Sequence, residues 1–417
     1  MSVPKLRFKA DDGSEFGEWG NYSLKNLLLK VIDNRGKTPN TSPELEIPLI
    51  EINAIGQRNV TYSKVSKFVS KETFKNWFRA YLDDQDILFS TVGNTAICSI
   101  YSSQIQAGIA QNIIGLRAKR EIIEPVFLYY LLTEDINNKK FKSIEMQAVQ
   151  PSIKVSQMIH LNFLVPCLEE QTKIASFLSA VDEKISQLTQ KHALLSQYKQ
   201  GMMQKLFSQQ IRFKADDGSD FGEWEEVRLG NLVDLTSGFA FKSDFFSEDG
   251  NKLITPKNFT TTGKANFTDT NTKWTTEISD KKYICRPNDL LVLLTDLTQS
   301  CELLGKPILL SQDDGNVLLN QRIVKIIPNR KLEKPFLLYL LLTDDFHELI
   351  VSTASGTTVK HSSNKVLQSF HFYLPCLEEQ TKIANFLSAI DQKIEVVAHQ
   401  IEQAKTWKKG LLQQMFV

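Results

Sequence analysis

Two stretches of the chain carry apolar residues at alternating spacings of four and three positions. In the first stretch they are Ile174, Leu178, Val181, Ile185 and Leu188, and in the second they are Ile383, Leu387, Ile390, Ile394 and Val397. This heptad spacing is typical of helices that pack along a continuous apolar seam. It predicts two long helices, over about residues 168–207 and 377–416, that pack together as a coiled coil.

The two long regions outside these stretches have a different pattern. Residues 22–165 and 227–374 contain short apolar runs, such as residues 87–92 and 290–294, separated by Asn, Gly, Ser and Pro. Such runs predict mainly β-strands with a few helices. Pro125 and Pro335 suit the first turn of a helix, so we expect a helix to begin near each of them.

The chain contains an internal repeat. RFKADDGSEFGEW, from Arg7, returns 205 residues later with a single change, and PCLEEQTKIASFLSAVDEKI, from Pro166, returns 209 residues later with three changes. The regions between these markers show little identity. A repeat of this length is too long for a solenoid, so we interpret the chain as two copies of one unit with shared flanks and divergent middles.

The repeat predicts the organisation of the whole chain. We expect an α+β fold with two similar, mainly-β domains separated by two long helices that form an antiparallel coiled coil with an internal pseudo-two-fold axis. The predicted boundaries are 1–19, 20–165, 166–224, 225–374 and 375–417. Because the first helix runs directly into the second RFKADDGS segment, the region near Met415 should lie close to Lys5–Phe8.

The balance of charges and the cysteine content exclude some classes of protein. The 49 Lys and Arg residues against 48 Asp and Glu residues exclude a strongly basic chain, although a local basic face can still bind nucleic acid. The five cysteines form no C-x-x-C pair, so we expect buried, reduced thiols. The N-terminus lacks an apolar signal segment and no apolar run is long enough to span a bilayer, so we expect a cytoplasmic protein without a membrane partner.

The sequence offers no motif for catalysis. It contains neither G-x-x-x-x-G-K-[ST] nor G-x-G-x-x-G, and its histidines are not spaced as metal ligands. The acidic and basic run Asp182-Glu183-Lys184 lies within the heptad stretch, so we interpret it as part of a helix face. The sequence therefore predicts a binding and assembly protein that holds no metal and no cofactor.

The repeated flank resembles a known family. PCLEEQTKIA at Pro166 and Pro375, each followed by FLSA[VI]D, resembles the conserved regions of the DNA-specificity subunit of Type I restriction-modification systems. The resemblance implies that each variable domain is a target-recognition domain for one half of a split, asymmetric double-stranded DNA site, and that the helices set the spacer. It also implies docking of two modification (methyltransferase) subunits, which bind S-adenosylmethionine, and through them of restriction subunits that use ATP and Mg.

Polar and basic loop residues are the candidates for DNA contact, because phosphates and base edges are bound by Lys, Arg, Asn, Gln and Thr side chains. In the first domain the candidates are Arg35, Lys37, Arg58, Asn59, Gln111 and Asn112. In the second domain they are Lys242, Lys257, Asn258, Gln321, Arg322, Thr357 and Lys360.

Two other classes of function are alternatives to this interpretation. A scaffold that joins two protein partners without binding DNA would use the same arrangement of domains and helices. A self-contained nuclease or methyltransferase is disfavoured by the missing motifs. Co-purification with a methyltransferase and sequence-specific footprinting distinguish these hypotheses.

Overall fold

The computed structural model describes residues 4–34, 38–147, 149–277, 280–296, 298, 300–357 and 359–416. Contacts divide the chain into two compact units, one of Met1–Gln190 with Val397–Val417 and one of Lys191–Val396. Each unit therefore contains one variable domain, part of the long helix of its own copy and part of the long helix of the other copy.

The first unit is built from short strands and helices followed by a long helix. Its strands are β1 (Gly20–Ser23), β2 (Leu28–Ile32), β3 (Ile47–Ile50), β4 (Phe68–Val69), β5 (Ile87–Ser90), β6 (Cys98–Ile100), β7 (Gly108–Ile109), β8 (Ile113–Ala118) and β9 (Asn162–Val165). Its α-helices are α1 (Leu24–Leu27), α2 (Lys71–Trp77), α3 (Pro125–Thr133), α4 (Asp135–Ser143), α5 (Val155–Met158) and the start of α6 (Leu168–Phe207). Two 3-10 turns lie at Ile52–Ala54 and Tyr62–Lys64.

Two sheets and one strand pair organise this unit. The larger sheet has the order β2-β8-β5-β6 with antiparallel neighbours, and the smaller has the order β4-β3-β7, in which β3 and β7 are parallel. Strand β1 pairs with β9, and Gly20 lies opposite Val165. This pair joins the two ends of the variable domain immediately before α6 begins.

The second unit has the same plan. Its strands are β10 (Glu225–Arg228), β11 (Val233–Ser237), β12 (Phe246–Ser247), β13 (Asn251–Ile254), β14 (Lys273–Thr275), β15 (Ile284–Cys285), β16 (Leu290–Leu293), β17 (Thr295–Asp296), β18 (Pro307–Leu309), β19 (Val317–Leu319), β20 (Ile323–Pro328), β21 (Lys360–His361) and β22 (His371–Leu374). Its α-helices are α7 (Lys334–Leu341), α8 (Asp344–Ser352), α9 (Asn364–Gln368) and the start of α10 (Leu377–Met415), and its 3-10 turns are Leu229–Asn231, Ser243–Phe245, Pro256–Asn258 and Lys281–Tyr283.

The sheets of the second unit follow the plan of the first, with five strands instead of three in the smaller sheet. The larger antiparallel sheet has the order β11-β20-β16-β18, and the smaller has the order β12-β14-β13-β19-β15, in which β13 and β19 are parallel. Strand β10 pairs with β22 at the two ends of the domain, and β17 pairs with β21. The unit thus repeats the main sheet, the mixed sheet and the closing strand pair.

A buried helix forms the centre of each core. Helix α3 starts at Pro125, its first turn is capped by the Glu124 carboxylate, which accepts from Phe127 N at 2.5 Å, and Phe127 is fully buried. Helix α7 has Pro335 in its first turn and buries Phe336 in the same way. Proline fits these positions because the first helical residues have no intrahelical acceptor for an N–H group. The two predicted helix starts are therefore confirmed.

The apolar stripes of the long helices lie in these same cores. Ile174, Leu178, Val181 and Leu188 are buried and Ile185 is partly buried; likewise Ile383, Leu387, Ile390 and Val397 are buried and Ile394 is partly buried. The core of the first unit also takes Leu411 and Met415 of α10, and that of the second takes Met203 and Leu206 of α6. The start of one helix thus packs beside the end of the other, in antiparallel orientation, so the predicted α+β fold with two long helices is confirmed.

The cysteine prediction is wrong for two of the five residues. Cys98, Cys285 and Cys301 are buried, whereas Cys167 and Cys376 are exposed. The exposed pair directly precedes α6 and α10, where Cys167 O accepts from Gln171 N and Cys376 O accepts from Gln380 N. In the described part of the chain, no helix combines the length and apolar character needed to cross a membrane.

Candidate functional site

In each unit a Tyr, an Asp and a Lys connect the variable domain to both long helices. In the first unit Tyr130 Oη donates to Asp182 Oδ2 at 2.7 Å, and Lys408 Nζ lies 2.6 Å from Asp182 Oδ1. The Lys408 ammonium also lies 5.4 Å from the centroid of the Tyr130 ring. Burial, together with the Asp182 charge, raises the pKa of the Tyr130 hydroxyl, so this group remains a hydrogen-bond donor.

The second unit forms the same three-residue joint. Tyr339 Oη donates to Asp391 Oδ2 at 2.8 Å, and Lys199 Nζ lies 2.7 Å from Asp391 Oδ1. The Lys199 ammonium lies 5.2 Å from the Tyr339 ring centroid. Tyr339 and Asp391 follow Tyr130 and Asp182 by the repeat offset of 209, whereas Lys199 precedes Lys408 by the same offset. Each joint therefore takes its Tyr and Asp from one copy and its Lys from the helix of the other.

A repeated segment clamps the start of each long helix. Arg7 Nε and Nη2 donate to the two oxygens of the fully buried Glu170 carboxylate at 2.9 and 2.7 Å. Arg212 makes the same fork to the fully buried Glu379, at 3.1 and 2.8 Å. Hydrogen bonding to these carboxylates raises the pKa of both guanidinium groups, as expected for a paired charge. The RFKADDGS segments are thus structural, which explains their near identity.

The segments near residues 6 and 414 meet as the repeat predicts. Leu6 N donates to Gln414 O at 2.9 Å, and the matching bond in the continuous part of the chain runs from Ile211 N to Lys205 O at 3.2 Å. The prediction that the region near Met415 lies close to Lys5–Phe8 is therefore confirmed.

The candidate residues of the first domain lie in different environments. Arg35 and Lys37 lie outside the described residues. Arg58 Nη2 donates to Ser179 Oγ of α6 at 3.0 Å, so this guanidinium is directed towards the long helix. Asn59 is exposed.

The pair Gln111 and Asn112 directly precedes β8, which lies between β2 and β5 in the larger sheet. Gln111 Nε2 donates to Thr38 Oγ1 at 2.8 Å, and Thr91 N donates to Asn112 O at 2.8 Å. Both side chains are half-buried. Thr91 directly follows β5, so the backbone of Asn112 is held beside the end of that strand.

The structure removes one candidate of the second domain. Asn258 is fully buried, and its Oδ1 accepts from Thr255 N and from Thr255 Oγ1, both at 2.8 Å. Its amide therefore orders the loop before β14 and is not offered to a ligand. Its neighbour Lys257 is exposed, as are Lys242 and Thr357.

Three of the candidate segments in the second domain converge at the end of β11. Phe239 N donates to Leu319 O and Gln321 N donates to Phe239 O, both at 2.9 Å, so the chain leading to Lys242 crosses the loop before β20. Gly238 is required at this crossing, because a Cβ atom there would lie 1.9 Å from Asn320 O. The crossing brings Gln321 and Arg322 to the surface formed by β17 and β21.

A pocket of about 270 Å³ lies at this convergence. We call it the β21 pocket; its polar lining residues are Ser237, Thr295, Gln321, Arg322, His361, Ser362, Ser363 and Asn364. Lys360 follows Thr357 into β21 and precedes the pocket residue His361. The pocket thus brings together Gln321, Arg322 and His361, although His361 is distant in sequence from the other two.

The described residues contain no group of three or more His, Cys, Asp or Glu side chains that could hold a metal ion. The chemistry that the site residues offer is hydrogen bonding from amides, hydroxyls and guanidinium groups.

Comparison with known proteins agrees with this architecture. The family model described as Type I restriction modification DNA specificity domain matches twice, at residues 17–197 and 222–406. The chain belongs to this family. The resemblance seen in the repeated flanks is thereby confirmed, and each match contains one target-recognition domain.

A relative and two solved structures extend this comparison. The chain is 28% identical over 368 residues to the Type I restriction enzyme MjaVIII specificity subunit of Methanocaldococcus jannaschii, covering 84% of this chain and 81% of that protein. Its fold is similar to the Type I restriction-modification S subunit from M. genitalium, with a TM-score of 0.60, 15% identity and coverage of 100% and 99% of the two chains.

The second structure comes from work on complex assembly and conformational transition of the Type I restriction-modification system. The TM-score is 0.56 at 20% identity, covering 96% of this chain and 97% of the other. At these identities the structural comparisons support the fold.

Sequence reasoning missed the Tyr–Asp–Lys joints. A signal was available, because Tyr130, Asp182 and Lys199 each have an identical residue 209 positions later. Applying the repeat offset to polar residues as well as apolar ones identifies all six.

Proposed function

We propose that this chain is the DNA-specificity subunit of a Type I restriction-modification complex and recognises a split DNA site. The first target-recognition domain binds one half of the site and the second binds the other half. The paired long helices set the spacer between the halves. The chain works in the cytoplasm, is itself non-catalytic, and directs the activity of its partners.

A split site is supported by two observations taken together. The Tyr–Asp–Lys joints are the same in both units, and the loop residues differ between the two domains. Thr91 N donates to Asn112 O in the first domain, and at the matching place in the second Leu294 N donates to Arg322 O at 3.1 Å. Asn side chains pair with adenine and Arg side chains pair with guanine in the major groove. The two domains share one backbone arrangement but carry different residues, Asn112 and Arg322, at the same position. They are therefore suited to two different half-sites.

The repeated helical elements support two copies of one partner. The forks Arg7–Glu170 and Arg212–Glu379 and the two Tyr–Asp–Lys joints hold the long helices in the same way in each unit. We propose that two modification subunits, carrying S-adenosylmethionine, dock on these elements and that restriction subunits using ATP and Mg join through them. Double-stranded DNA is the remaining partner.

Mapping methylated bases in the DNA of cells that carry the complete system tests this proposal. We expect one asymmetric motif of two short blocks with an unspecified spacer, and loss of all methylation at that motif when this chain is deleted. Methylation that persists without the chain, or that follows no sequence, would contradict the proposal and favour a scaffold without a DNA role.

A further inference from the structure

The β21 pocket is lined by side chains of the kinds that contact base edges. We infer that it receives the base edges of the half-site bound by the second target-recognition domain, with Arg322 and Gln321 as its specificity-determining residues. This inference rests on the proposed function and goes further, because it names the side chains that select the sequence.

The two named side chains are available for a ligand. The Arg322 guanidinium is half-buried in the pocket lining, and it has no hydrogen-bond or ion-pair partner among the described residues. The Gln321 side chain is exposed, and in the described part of the chain its only bond is a backbone one, to Phe239. By contrast, the guanidinium groups of Arg7 and Arg212 donate to a carboxylate and to a backbone carbonyl each. Arg322 therefore retains its donor fork for an acceptor pair.

The frame of the pocket is held by backbone bonds. Leu294 N donates to Arg322 O at 3.1 Å, and Ser362 N donates to Leu294 O at 3.0 Å. The backbone of Leu294 therefore holds these two lining residues together. Gly238 N donates to Ile323 O at 3.0 Å on the other side. Because sequence readout needs side chains on a rigid support, this frame suits Arg322 and Gln321 for selecting bases.

Further polar groups in the pocket offer both donors and acceptors. Thr295 Oγ1 lies 3.1 Å from His361 Nδ1, and Asn364 Nδ2 donates to Ser237 Oγ at 2.9 Å. The Ser362 hydroxyl oxygen is buried and has no hydrogen-bond partner among the described residues. A buried hydroxyl without a partner is costly, so a polar ligand atom in the pocket would relieve it.

This mixture favours base edges over phosphate. A phosphate site needs several donors or cations, whereas Arg322 is the only Lys or Arg among the lining residues. Base edges present donors and acceptors together, which match amides, hydroxyls and a guanidinium fork. Lys360 and Lys365 lie beside the pocket in sequence, where they can contact the DNA backbone.

The test is selection from a random library of duplex DNA by the full chain assembled with its modification subunits. The wild type should enrich a two-block motif. Arg322→Ala and Arg322→Lys should each lose about tenfold or more of the base preference at one or two positions of one block. The Lys variant should not rescue this preference, because Lys lacks the planar fork of Arg. Both variants should leave the other block unchanged. Gln321→Ala, on an exposed side chain, should relax a neighbouring position of the same block. Arg330→Ala removes an exposed arginine of the same domain and should leave both blocks intact.

Two results would overturn the inference while leaving the proposed function standing. The first is an unchanged motif for Arg322→Ala and Gln321→Ala. The second is an equal loss of affinity for all sequences with Arg322→Ala that Arg322→Lys restores, because this behaviour marks a phosphate contact. If the wild-type complex enriches no motif, the proposed function fails and the inference fails with it.

Discussion

Lys408, near the end of the chain, forms a 2.6 Å ion pair with Asp182, and Lys199 forms its counterpart at 2.7 Å with Asp391. Both pairs are largely shielded from solvent, and each lysine ammonium also lies over the tyrosine ring that donates to the same aspartate. Because the lysine and the aspartate belong to different copies of the repeat, each joint needs helix residues from both copies. Each target-recognition domain is therefore supported by helix residues of both copies.

Replacing Lys408 by Met should lower the free energy of unfolding by about 2 kcal/mol, because it leaves the Asp182 carboxylate without its cation and removes the contact with the Tyr130 ring. Urea denaturation measures the loss. Lys405→Met is the matched control, since Lys405 pairs with Glu402 on the exposed face of the same helix and should contribute less than about 0.5 kcal/mol. Equal effects of the two substitutions would contradict a special role for the joint.

Removing the clamp arginines should affect the two copies unequally. Trp224 Nε1 donates to Glu379 Oε2 at 2.8 Å, whereas Trp19 Nε1 has no partner among the described residues. Arg212→Ala therefore leaves Glu379 with one strong donor, while Arg7→Ala leaves Glu170 without a comparable one. We expect Arg7→Ala to cost about 3 kcal/mol and Arg212→Ala about 1 kcal/mol less.

Chemical denaturation of the two single variants and of Trp224→Phe/Arg212→Ala checks this difference. The double variant should reach the cost of Arg7→Ala. Arg212→Ala proving more destabilising than Arg7→Ala would show that the tryptophan bond is not what separates the copies.

The stability of the second unit should depend on pH through His347. Burial, with a contribution from the Lys306 charge, lowers the pKa of His347 below its ordinary value of 6.5, and its Nδ1 lies 3.1 Å from Leu304 O. Below pH 6.5 the unfolded chain binds a proton that the folded chain does not, so stability falls as the pH falls through this range. Above it the contribution is constant.

His347→Gln should flatten the fall in stability below pH 6.5, measured by urea unfolding at fixed ionic strength. His371→Gln is the control, because His371 is exposed. A slope that is identical in the wild type and in His347→Gln would rule out this histidine as its source.

Thiol labelling of the folded chain should separate the cysteines into two classes. Cys167 and Cys376 are exposed and should react within minutes with a maleimide. Cys98 is fully buried, which raises the pKa of its thiol, and burial raises the pKa of Cys285 to about 12. These two and Cys301 should react only after unfolding. Peptide mass spectrometry identifies the modified residues, and early labelling of Cys98 would contradict the packing of the first unit.

The features that the sequence predicted well are those that depend on spacing. The heptad pattern located α6 at Leu168–Phe207 and α10 at Leu377–Met415, and the proline positions located α3 and α7. These features follow from periodicity and backbone geometry, which a single chain displays directly.

The direction of individual side chains could not be predicted in this way. Arg58 and Asn258 have the residue types of DNA contacts, yet Arg58 is directed towards Ser179 and Asn258 is buried in its own loop. The residue type determines which groups a side chain can bind, whereas the fold determines which groups lie near it. The β21 pocket brings together Gln321, Arg322 and His361 through strand pairing that local propensity does not specify.

The most direct test of the central claim replaces residues 20–165 by a second copy of residues 225–374, joined at the closing strand pairs β1–β9 and β10–β22. The two joints have equal residues, so the exchanged domain should be supported by Asp182 and Lys408 as it is by Asp391 and Lys199. Library selection with the assembled complex should then yield a motif with the second half-site in both blocks and the first half-site absent. Retention of the original first block would contradict the claim that each domain recognises its own half of the DNA site.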